Sequence, residues 1–164
     1  MNIVSLTQDH YRRSFDCGEQ TINAFLQQGA LQDQKLGLSR TSVLIDESDD
    51  PNRILGFHTL VLTVVDQELI PNDRPRIKRK IPVILLGQLG VDINFQNRNY
   101  GNWLLYDAER RVAEIAKIVG VRCLMLDARN ERLSQWYAKH DFVRFPESLR
   151  MFKSLKAIAK LVEG

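Results

Sequence analysis

Residues Ile84–Arg111 read ILLGQLGVDINFQNRNYGNWLLYDAERR. A run of apolar and small residues through Val91 is long enough for a buried strand, and a polar turn, Asn94–Gly101, leads from it directly into a helix. In that helix Leu104, Leu105, Ala108, Val112, Ile115, Ala116 and Val119 recur at helical spacing, and Asp107, Glu109, Arg110, Arg111, Glu114 and Lys117 are assigned to the opposite, polar face. A strand, a turn of small and amide residues, then a helix makes an anion site. Backbone N–H groups of the turn converge on one point, where the helix N-terminus adds unpaired donors and partial positive charge. A diphosphate suits such a site. Neither G-x-x-x-x-G-K-[ST] nor G-x-G-x-x-G with its distant acidic residue is present; what stands there is Q-x-x-x-x-G, Gln96 to Gly101.

Working outward, 164 residues suffice for one domain with a proper core, so a single domain over 1–164 is expected. The chain is 44% hydrophobic and 26% charged with net charge +3, an ordinary globular composition. No apolar stretch is long enough to span a bilayer, and the start lacks a signal peptide's layout. Cys17 and Cys123 form no C-x-x-C and read as reduced thiols in a cytoplasmic protein; no metal site is expected.

Upstream, Ile3–Leu6 reads as a short strand, followed by a helix through Ile22, Phe25 and Leu26 with Asp16 or Gly18 as its cap. Thr41–Asp46 and Ile54–Val65 read as a hairpin across the turn 47–53. His58, within the second of these strands, reads as a packing residue, and Cys17 has no neighbour that would make it a nucleophile. Arg74, Arg76, Lys78, Arg79 and Lys80 crowd one segment. That segment is either a solvated loop or a patch that meets a polyanion, and the lack of interleaved aromatics argues against reading single-stranded bases. Downstream, Gly120 is expected to end the helix. Val121–Ala128 reads as a buried strand, Asn130–His140 as a short helix capped by Asn130, Leu149–Leu155 as the last strand, and Lys156–Glu163 as an amphipathic tail. The order implies an α/β fold with one mixed sheet and helices on both faces, the strands at 84–91 and 121–128 being parallel neighbours.

The Gln96–Gly101 turn resembles motif A of the GNAT acetyltransferases, Q/R-x-x-G-x-G/A, with Asn99 at the first glycine and Asn97 at a frequent additional one. Asparagine follows glycine in tolerating left-handed backbone, so the loop is expected to form, though each Cβ narrows the approach of a phosphate. Phe15-Asp16-Cys17-Gly18, Leu85–Asp92, Asp127-Ala128-x-Asn130-Glu131 and Trp136-Tyr137 stand in order around it. Together they resemble the toxin branch of that superfamily, from bacterial type II toxin–antitoxin pairs. The resemblance implies a mostly antiparallel sheet split between two parallel central strands, with the pantetheine arm of acetyl-CoA lying in the split. It implies transfer of acetyl directly to the α-amine of aminoacyl-tRNA, a ribbon–helix–helix antitoxin as partner, and a homodimer.

Carried over residue by residue, the resemblance places acetyl-CoA against Leu89, Gly90, Val91, Gln96, Asn97, Arg98, Asn99, Tyr100, Gly101 and Asn102. The backbone N–H of Leu89 or Val91 would polarise the thioester carbonyl. Asn130 would bond the CoA arm or serve as a helix cap. Tyr137 would protonate the departing thiolate; a phenol of pKa near 10 is protonated at neutral pH. The alternative is that Trp136-Tyr137 merely closes the core. No glutamate stands where many small-molecule GNAT enzymes carry a base, and Asp92 is the nearest carboxylate. That favours an α-amine, with a pKa of about 7.7–8.0, over a lysine amine at about 10.4. Arg12, Arg13, Lys35, Arg40 and the Arg74–Lys80 cluster are candidates for the tRNA surface. Rival readings are an acetyltransferase for a small amine or protein N-terminus, and a CoA-binding module without catalysis.

Overall fold

The computed structural model describes residues 1–67, 70 and 79–164. Its strands are β1 (Asn2–Ser5), β2 (Arg40–Ile45), β3 (Gly56–Asp66), β4 (Lys80–Val91), β5 (Cys123–Asp127), β6 (Val143–Arg144) and β7 (Arg150–Ser154). Its helices are α1 (Gln20–Ala24), α2 (Ala30–Lys35), α3 (Tyr100–Ala116), α4 (Glu131–Ala138) and α5 (Leu155–Glu163), with one π-helical stretch, Phe25–Gly29, joining α1 to α2. The sheet order is β1-β2-β3-β4-β5-β7-β6. Pairs β1–β2, β2–β3, β5–β7 and β6–β7 are antiparallel, and β4–β5 is parallel.

The chain folds as two compact units, Met1–Val61 with Gly87–Ala108 and Leu62–Leu86 with Glu109–Gly164. The first unit has helices on both sheet faces, as β alternation demands. Val43 and Phe57 point to one side and pack with Ile22, Leu26 and Phe15, whereas Leu44, Leu55 and Leu104 pack on the other. In the second, Val83, Ile81, Cys123 and Met125 form a core with Phe145 and Phe152 against it.

Several sequence expectations are corrected. Helix α3 ends at Ala116, so Val119 lies beyond it and is exposed. Asp107 and Glu109 are not on a solvated face: both are buried, and each meets a hydrogen-bonding side chain on the sheet, His58 and Lys153. Neither Asp16 nor Gly18 caps α1. The N-cap position is Glu19, without a side-chain bond, and the Asp16 carboxylate instead accepts from Gly18 N and Asn23 Nδ2. Lys80 opens β4 rather than belonging to a loop, with its Nζ 3.4 Å from Asp66.

Candidate active site

The anion site lies wholly in the first unit. There β4 continues beside β3 after its register with β5 has ended at Leu86, so from Gly87 to Val91 the side of β4 away from β3 has no strand partner among the described residues. Alternation turns the Gly90 carbonyl toward Gly56 of β3 and leaves the backbone of Leu89 and Val91 on the other side, where Val91 O accepts from Gln96 Nε2. Two glycines allow the close packing behind them. A Cβ on Gly56 would meet Leu104 Cδ1 at 2.8 Å and the Gly90 carbonyl at 3.0 Å, and one on Gly90 would meet Ile22 Cγ2 at 3.2 Å.

The turn after β4 is held by its side chains. Asp92 Oδ1 accepts from Asn94 N and Nδ2, both at 3.0 Å, and Oδ2 accepts from Asp16 N at 3.1 Å. With its oxygens so committed, buried Asp92 is a brace and not a base. Gln96 Nε2 donates to Cys17 O (3.1 Å) and Val91 O (2.9 Å), so the side-chain amide stitches the loop to its support. Asn23 Oδ1 accepts from Cys17 N at 2.8 Å, closing the same network; bonds from Gly18 and Asn23 hold the Asp16 carboxyl below the usual carboxylate range. The Phe15–Gly18 motif is thus a buttress for the turn after β4.

Asn97 (φ 63°) and Asn99 (φ 68°) are both left-handed, the conformation the family glycines serve. The Asn99 side-chain oxygen accepts from Asn102 Nδ2, and Arg98 lies over the Phe95 ring at 5.3 Å. Tyr100 packs into the core, so it offers its N–H and not its ring to a ligand. Helix α3 opens with Tyr100, Gly101 and Asn102 and carries no acidic residue in its first turn. Replacing Asn97 by alanine should destabilise the protein by about 1 kcal/mol, the cost of a Cβ held left-handed without asparagine's tolerance. Replacement by glycine should leave the melting temperature within a degree or two, and paired thermal melts test this.

In the second unit, Asn130 Oδ1 accepts from Leu133 N at 2.9 Å and so caps α4. Tyr137 is buried on α4, edge-on to Trp136 at 4.8 Å and Phe142 at 5.6 Å between ring centroids. Burial pushes its hydroxyl pKa up. Of the basic residues, Arg13, Lys35, Arg40, Arg79 and Lys80 are exposed, and Arg12 is half-buried with an Nε that has no hydrogen-bond partner. Arg74, Arg76 and Lys78 lie outside the described residues.

No protein-family model matches the chain. The tRNA-acetylating toxin of Mycobacterium tuberculosis is 32% identical to it over 133 residues, 79% of this chain and 76% of that protein. This chain belongs to the tRNA-acetylating toxin family. AtaT, solved in complex with acetyl-methionyl-tRNAfMet, matches it with a TM-score of 0.87 at 25% identity, over 98% of each chain. A tyrosine-to-phenylalanine mutant of AtaT, solved with acetyl-CoA and the C-terminus of the antitoxin AtaR, matches with a TM-score of 0.82 at 25% identity, over 99% of this chain and 98% of that one. The fold is the GNAT acetyltransferase fold of these toxins, as motif A implied.

Two buried polar pairs in this toxin-family chain escaped the sequence reading. His58 Nε2 lies 2.8 Å from Asp107 Oδ2, both side chains nearly inaccessible, and ties β3 to α3. Lys153 Nζ donates to Glu109 Oε1 at 2.8 Å, with each side chain 2% exposed. The signal for the second was present. Lys153 is two residues from Met151 and shares its buried face of β7, where a lysine needs a carboxylate.

Proposed function

We propose that this chain is an acetyl-CoA-dependent N-acetyltransferase that acetylates the α-amine of an amino acid carried on tRNA, and so acts as a translation-blocking toxin. The observation that carries the reading is its 32% identity to a tRNA-acetylating toxin across 79% of its length. The residues present fit acetyl-CoA. An unpaired β4 edge suits an extended amide-bearing arm, and two left-handed asparagines before an acid-free helix start suit a diphosphate. When bound, acetyl-CoA supplies an acetyl group activated as a thioester. The Leu89–Val91 stretch holds the arm, the backbone N–H of Leu89 or Val91 polarises the carbonyl, and backbone groups of Gln96 to Asn102 hold the phosphates. Asn130 serves first as the α4 cap. Tyr137 holds a proton for the leaving sulfur.

With Asp92 engaged as a brace, no carboxylate here takes the amine proton. An aminoacyl α-amine, appreciably neutral at pH 7 where a lysine amine is not, needs only water for that step. Arg13, Lys35, Arg40, Arg79 and Lys80 are the described cations that support tRNA binding; Arg12, whose Nε is buried, is the least suited of those named. A ribbon–helix–helix antitoxin is the partner, in keeping with the AtaR segment bound to AtaT. We read the chain as one domain, since β3, β4 and α3 each contribute to both units. It works as a homodimer in the cytoplasm; no helix among the described residues is long and apolar enough to cross a membrane.

The test is transfer of labelled acetyl from acetyl-CoA to charged tRNA, run beside deacylated tRNA. Label on charged tRNA alone is the expected result. Label on neither, with acetyl-CoA still bound, would remove the toxin reading and direct the search to small amines and protein N-termini.

A further inference from the structure

The Lys153–Glu109 pair costs more than the fold requires. Desolvating two ions costs several kcal/mol each, and their attraction does little more than offset this; well-packed apolar residues of similar volume hold a core as well or better. The location of the pair gives it another use. Lys153 Nζ, fixed by its 2.8 Å bond to Glu109, lies 5.7 Å from the centroid of the Phe142 ring. Phe142 in turn meets Tyr137 edge-on, with centroids 5.6 Å apart and planes at 66°. Among the described residues the Tyr137 hydroxyl has no hydrogen-bond partner, so its aim is set by ring packing against Trp136 and Phe142. A cation held at one point over a ring orients that ring more sharply than apolar contact does.

We propose that the buried Lys153–Glu109 pair is a positioning device for the Tyr137 hydroxyl, acting through the Phe142 ring. Lys153 and Glu109 touch neither substrate; they fix Phe142, and Phe142 fixes the tilt of the phenol. The inference rests on Tyr137 being the acid of the proposed reaction. It accounts for a lysine and a glutamate that are both buried, on β7 and α3, where an apolar pair would fill the same space.

The test uses the double variant Glu109→Leu/Lys153→Met, which removes both charges and leaves no ion unpaired. It should fold with a melting temperature at or above the parent's and keep its KM for acetyl-CoA within about twofold. Its kcat should fall about tenfold or more, the scale of a catalytic group displaced by a fraction of an ångström. A merely structural pair would leave kcat unchanged, and that result overturns the proposal. Should the double variant not fold, Phe142→Leu decides, since it leaves the ion pair intact: a tenfold lower kcat at unchanged KM supports the relay, and parental kcat overturns it. Tyr137→Phe, run alongside, separates the two ideas. Transfer surviving in Tyr137→Phe defeats the acid assignment itself; transfer lost there but intact in the double variant defeats only the relay.

Discussion

Tyr137→Phe should lower kcat for acetyl transfer about 10²-fold or more while leaving acetyl-CoA affinity unchanged, because the lost hydroxyl acts only as the sulfur departs. The loss should fall toward the lower end of the range for a general acid. Burial raises the Tyr137 pKa well above that of an ordinary thiol, so full proton transfer to the sulfur is uphill, and in the proposed role the phenol would serve mainly as a hydrogen-bond donor to developing thiolate charge. The same burial gives a second observable. A phenol held protonated contributes no alkaline limb, so the parent's rate should rise with the neutral fraction of the amine and stay level to about pH 9. Single-turnover measurements with acetyl-CoA saturating would show both. Parental kcat in the variant, or a fall in rate between pH 8 and 9 that the variant lacks, would remove Tyr137 from the chemistry.

What the sequence made legible follows the local character of each signal. The strand, turn and helix around Gln96–Gly101 were readable because apolar periodicity and turn chemistry act between near neighbours. The left-handed asparagines were readable for the same reason, since backbone tolerance belongs to the residue itself. The cap at Asn130 is a three-residue relation and also held. What stayed hidden depends on distant partners. Asp92 was open to reading as a base because its partner Asp16 lies 76 positions away. Asp107 and Glu109 were assigned to solvent because His58 and Lys153, at separations of 49 and 44, cannot be matched to them by periodicity. Gln96 resembled a phosphate ligand until the carbonyls of Cys17 and Val91 were found on its amide.

The other large effect is expected at the start of α3, where stability and binding should move in opposite directions. Gly101 sits in the first turn of a 17-residue helix with no acidic residue there. In an ordinary helix that turn is where aspartate is welcome. Its charge meets the positive end of the dipole and stabilises by about 0.3–1 kcal/mol, and replacing glycine within the helix adds up to about 1 kcal/mol more. Gly101→Asp should therefore melt higher than the parent. The same carboxylate would stand at the proposed diphosphate site, so acetyl-CoA binding should weaken tenfold or more, a cost of about 1.4 kcal/mol at least. Gly101→Ala separates charge from bulk, because it gains helix propensity without adding an anion. If bulk alone obstructs the phosphates, both variants lose affinity equally; if charge decides, alanine binds near the parent's level and aspartate does not, and the aspartate deficit shrinks as ionic strength rises. Unchanged affinity in Gly101→Asp would mean the pyrophosphate does not rest on this helix end. An acid-free first turn is less stable than the fold could make it, and an anionic ligand at that point accounts for it.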